Sequence, residues 1–147
     1  MLRRRDDGYE ASDDPRRLDL DVVHGYLTTS YWSPGVTRTT MERAVRGSLP
    51  MGLYAPDGTQ AGFARAVTDR ATFGWLADVF VLPDHRARGL SRFLVTALLE
   101  HPDLTGLRRW MLATADAHGV YEPLGFAPLD DPSRWMTRQP RAGGDSG

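Results

Sequence analysis

The run Arg86-Ala87-Arg88-Gly89 sets two fixed positive charges beside a glycine. Behind it, Leu90, Phe93, Leu94, Ala97 and Leu98 recur at three and four positions, the spacing of a helix with one buried face. Ahead of it, Val79-Phe80-Val81-Leu82 reads as the end of a strand. A strand therefore hands over to an open helix start. Such a start carries unpaired N–H groups and about half a positive charge, and so binds anions. Gly89 lets the backbone turn sharply or approach a ligand closely, and Arg86 and Arg88 add full charges. The combination describes a cradle for phosphate or pyrophosphate. A junction built for solubility and capping alone would look the same. It is neither the G-x-G-x-x-G dinucleotide fingerprint nor a Walker loop.

A second candidate is Asp78, which interrupts the apolar run Trp75-Leu76-Ala77-Asp78-Val79-Phe80. A carboxylate in such a strand costs free energy unless it is paired or used. It serves chemistry or it partners an arginine or a backbone N–H. His24, Asp116 and His118 are weaker candidates, and His85 falls on the rim of the loop. Four histidines with neither cysteine nor an H-E-x-x-H spacing give no metal site.

Whole-chain features narrow the field. The 147 residues fit one domain with a real core. Eighteen basic residues against nineteen acidic ones give no electrostatic case for nucleic acid or an acidic membrane. Absence of cysteine removes disulfides and thiol nucleophiles. Every basic residue is arginine, and lysine, asparagine and isoleucine are missing, as in the proteins of a GC-rich bacterial genome. Without lysine there is no P-loop lysine, Schiff base or lysine general base. The start Met-Leu-Arg-Arg-Arg has no apolar stretch behind it, so it is not a secretion signal, and no run spans a bilayer. The cytoplasm is the expected compartment.

The elements that must position these residues follow from periodicity. Residues 1–8 and 139–147 read as flexible ends. Helices are expected over 17–27 and 39–49, the second capped by Thr39 or Thr40. Strands are expected at 51–55 and 60–69, joined at Asp57-Gly58, and at 72–82. A helix from Leu90, a strand at 108–115 and a short helix at 116–126 follow. Residues 126–138 have room for one or two more strands. The order α-α-β-β-β-α-β-α-β defines a mixed α/β domain, mostly antiparallel.

Two motifs carry a resemblance. The stretch 79–91 resembles the acetyl-coenzyme A motif of the GNAT acetyltransferases, Q/R-x-x-G-x-G/A: Arg86 and Gly89 match, and Ser91 replaces the final small residue. About 30 residues on, Gly-Val-Tyr-Glu-Pro-Leu-Gly-Phe resembles the family's F/V-Y-x-x-x-G-F, with Tyr121, Gly125 and Phe126 matching. Thr114 stands where the family often has asparagine. The resemblance implies a GNAT-like sheet with a splayed strand pair and acetyl-CoA as acetyl donor. It implies that backbone groups at Val79, Phe80 and Val81 meet the pantetheine arm, and that Arg86, Ala87, Arg88, Gly89, Leu90 and Ser91 hold the pyrophosphate. Tyr121 becomes the general acid and Asp78 the first choice for the base. Tyr26, Tyr31 and Trp32 fall where the family lines its acceptor, either enclosing an amine or covering the core. The resemblance does not name the acceptor; the leading reading is a small-molecule primary amine. The alternatives are a protein lysine or N-terminus, or a CoA-binding module without turnover. Monomer and homodimer are both open.

Overall fold

The computed structural model describes residues 1–140. Its sheet has six strands in sequence order: β1 (Leu2–Arg4), β2 (Glu10–Ser12), β3 (Leu49–Tyr54), β4 (Gln60–Thr68), β5 (Phe73–Val81) and β6 (Arg109–Met111). The first five pair antiparallel, and β6 joins β5 in parallel. The β3–β4 turn is the expected one, with Gly58 at φ +90° and the Asp57 carboxylate accepting from the Thr59 N–H at 3.0 Å.

Helices cover both faces. On one lie α1 (Leu20–Leu27) and α2 (Arg38–Arg46), whose Val23, Leu27, Met41 and Val45 close over Phe63 and Phe80. On the other, α3 (Leu90–Leu99) presents Leu90, Leu94, Val95, Ala97 and Leu98 to Met51, Ala64, Ala66 and Leu76. The three-and-four spacing and the buried face therefore coincide. A short α4 (His118–Tyr121) follows β6.

Five expectations need correction. Residues 1–8 are not a loose end: Leu2–Arg4 is β1, its edge tied by the Arg3–Glu100 ion pair at 2.5 Å. The α2 cap is Thr37, which accepts from the Thr40 N–H, rather than Thr39 or Thr40. The strand expected at 108–115 keeps only Arg109–Met111, and the helix expected at 116–126 only His118–Tyr121 plus one tight turn. Within 126–138 there is no strand among the described residues; Pro128 and Pro132 lack the N–H a ladder needs. The remainder of the expected flexible end, 141–147, lies outside the described residues.

Candidate active site

The site forms where β5 and β6 part. Their pairing runs only from Phe73↔Arg109 to Trp75↔Met111, although β5 continues to Val81. Gly74 permits that close start: a Cβ there would lie 2.8 Å from the Trp110 ring. Beyond it the strands diverge around a cavity of about 1110 Å³, walled by Leu76–Val81 on one side and Leu112–Ala117 on the other.

Asp78 sits in a β-bulge. Phe63 faces Phe80 while Arg65 faces Ala77, so β5 carries one residue more than β4 over this stretch. Asp78 absorbs it with φ +55°, a left-handed conformation that aspartate tolerates better than most residues. Its Oδ2 accepts from Arg65 Nε at 2.7 Å and its Oδ1 from the Trp32 indole N–H at 2.8 Å. Arg65 also donates to Ser48 Oγ at 2.9 Å. The sequence offered chemistry or an arginine partner; the partner is present. Two of the carboxylate's roughly four lone-pair positions remain open at the cavity wall.

The loop from α1 to α2 arches across the opening. Trp32 reaches β5 through Asp78, and the Tyr31 hydroxyl accepts from the Ala115 N–H at 3.2 Å on the opposite wall. The two rings meet edge to face, 5.1 Å apart. Tyr26 stacks on Phe80 at 4.2 Å. All three aromatics line the cavity, as do Asp116 and Tyr121, whereas His118 does not. His24 is bonded to the Val36 carbonyl at 2.8 Å and has a structural place. Tyr121 is half-buried at the end of α4, with Phe126 edge-on at 6.0 Å. Burial, and next the neighbouring Tyr31, push its phenol above the ordinary value of 10, so it holds its proton through neutral pH.

A smaller cavity of about 430 Å³ adjoins the α3 start, lined by Ala87, Gly89, Leu90, Ser91 and Arg92 among others. Gly89 takes φ +70° as the residue before the helix. Leu90 turns its side chain into the core, so its contribution here is its N–H. Two expectations shift. Arg86 lines both cavities, but its guanidinium does not stand free beside the helix start: its Nε donates to the Val81 carbonyl and its Nη2 to the Tyr26 hydroxyl, both at 3.0 Å. Arg88 does not line the cradle; Arg92 does. Thr114 lines the large cavity, but its hydroxyl accepts from the Ala117 N–H at 3.0 Å. Sequence reasoning missed Arg65, Trp75 and Arg92. Arg92 had a signal, being the third residue of a helix facing a presumed anion; the others become legible only through the β4–β5 register.

Among the described residues, no group of histidines and carboxylates is placed to hold a metal, and no helix is long and apolar enough to cross a membrane.

Comparison with known proteins places this geometry. The Acetyltransferase (GNAT) family profile matches residues 19–126. A Gibberella zeae protein named for acetyltransferase activity is 33% identical over 130 residues, covering 74% of this chain and 72% of its own. The crystal structure of a GNAT-family protein from Xanthomonas campestris pv. campestris superposes with TM-score 0.86 at 44% identity, over 89% of this chain and 92% of that one. A Clostridium acetobutylicum acetyltransferase structure solved with acetyl-CoA shares the fold at TM-score 0.62 and 12% identity, over 95% and 96% of the two chains. The chain belongs to the GNAT acetyltransferase family and is an acyltransferase.

Proposed function

We propose that this enzyme moves acetyl from acetyl-CoA to the primary amine of a small molecule by direct attack. The fit to the donor rests on two features: the cavity lined by Ala87, Gly89 and Ser91, with Gly89 at φ +70°, and the N–H groups at the α3 start beside Arg92. Acetyl-CoA, when bound, would supply a thioester acyl group and a thiolate leaving group. Arg86, Ala87, Gly89, Leu90, Ser91 and Arg92 would hold its phosphates, and the backbone at Val79 to Val81 its pantetheine arm. Tyr121 keeps a phenolic proton at the cavity wall for the departing thiolate, whose basicity is similar. Asp78 supplies negative charge at the acceptor end, drawing an ammonium and taking its proton through water at the lone pairs Arg65 and Trp32 leave open.

One observation carries the choice of a small acceptor: the Tyr31–Trp32 arch bonds to both walls at once, through Ala115 and Asp78. A peptide lying across the site would have to displace it. Aromatic faces and one carboxylate suit a compact cation. A thiol-release screen of free amines against peptides tests this. Turnover with amines supports the reading, and turnover with peptides alone overturns it.

A further inference from the structure

The loop of the cradle holds two left-handed residues. Ala87 stands at φ +63° and Gly89 at φ +70°, and an alanine keeps a left-handed conformation only where its surroundings impose it. The support comes from the other end of the chain. Arg5 follows β1 and donates from Nη1 to the Arg88 carbonyl at 2.8 Å. Asp7 fixes that guanidinium from behind, accepting from Nε at 3.0 Å and from Nη2 at 2.6 Å. The guanidinium also lies 5.7 Å from the Phe93 ring of α3. Tyr9, 5% exposed, bonds through its hydroxyl to His85 Nδ1 at 2.8 Å. The β1–β2 turn thus grips the loop at two points, one on either side of Ala87.

The grip has a direction. Among the described residues every peptide bond is trans, and a trans unit points its C=O and the following N–H opposite ways. Arg5 draws the Arg88 carbonyl to one side, so the Gly89 N–H is turned to the other. Gly89 and Ala87 line the cradle, whereas Arg5 and Arg88 do not. We propose that Arg5 and Tyr9 are positioning residues that hold the phosphate loop in its anion-binding form from outside the site. This rests on the donor-site reading above.

The test compares wild type with Arg5→Met, which keeps the aliphatic stem and loses the fork, with Tyr9→Phe, which loses only a hydroxyl, and with Gly89→Val. CoA affinity is read by calorimetry. Rates are measured with acetyl-CoA and with S-acetyl-pantetheine, which lacks the pyrophosphate. Arg5→Met should weaken CoA binding about tenfold, the usual worth of a charge-assisted hydrogen bond. KM for acetyl-CoA should rise with kcat little changed, and kcat/KM for S-acetyl-pantetheine should stay at the wild-type value. Tyr9→Phe should act in the same direction to a smaller extent, and it carries the test alone if Arg5→Met does not fold. Unchanged CoA affinity in these variants, with Gly89→Val unable to bind, would overturn the proposal while sparing the donor site. Equal losses on both donors would also overturn it, marking general damage. If wild type fails to bind CoA, or Gly89→Val binds it normally, both readings fall.

Discussion

The Arg65–Asp78 pair gives the sharpest quantitative test. Its side chains are only 17% and 11% exposed and meet at 2.7 Å. Removing one member of a buried pair costs about 3–5 kcal/mol, because the other charge is left without its counter-ion. Ser48 still receives a bond from Arg65, so Asp78→Asn belongs at the low end, about 3 kcal/mol. For a chain of this size that lowers Tm by about 6–12 °C. Asparagine keeps an oxygen for the Trp32 indole, so the arch should survive. Arg65→Gln together with Asp78→Asn should cost less than the sum of the two single changes, by about 1–3 kcal/mol. Thermal and urea denaturation of all four proteins completes the cycle. In activity, kcat/KM of Asp78→Asn should fall near neutral pH and recover as pH approaches about 10.4, where amine arrives already deprotonated. A stability loss below about 0.5 kcal/mol, the size of an ordinary surface change, or strictly additive single changes, would refute the pairing argument. An activity loss equal at all pH values would refute the proton-accepting role.

Three further predictions follow from single groups. Tyr121→Phe should lower kcat about 10²–10⁴-fold with CoA affinity unchanged, and since burial raises this phenol above 10, the wild-type kcat–pH profile should decline only above that pH; retained turnover reassigns Tyr121 to packing. Gly89→Val forces a β-branched residue to φ +70° and should cost about 1–2 kcal/mol of stability while abolishing CoA binding, both read by calorimetry. The Tyr54 hydroxyl is buried without a hydrogen-bond partner, and burial pushes its phenol to about 12; the folded state disfavours the phenolate, so the stability it protects is complete below pH 10 and lost as pH rises towards 12. Tyr54→Phe should remove that alkaline loss without lowering Tm at neutral pH, and a less stable variant would contradict this.

What the sequence made legible was what is local in it. The strand, loop and helix around Gly89 and the stretch around Tyr121 are contiguous, so the two motifs that carry the family resemblance could be read there. The β1 and β2 strands left no comparable trace. Leu2–Arg4 and Glu10–Ser12 are three residues each and mostly polar, and their strand character comes from the pairing of β1 with β2 and of β2 with β3 and from distant contacts such as Arg5 with Arg88. The bulge at Asp78 was equally hidden, since it is a mismatch in count between β4 and β5. Arg86 shows the remaining difficulty: its position was legible and its direction was not, because the groups it bonds to, Tyr26 and the Val81 carbonyl, belong to other elements.

The central claim is acetyl transfer to a small amine in the cleft between β5 and β6. Its most direct measurement incubates the enzyme with acetyl-CoA and a panel of amines and peptides, following free thiol and product mass together. The account predicts a small amine that gains one acetyl group for each thiol released, with Gly89→Val abolishing both signals. Acetylation confined to peptides, or CoA binding with no thiol released on any acceptor, would contradict it.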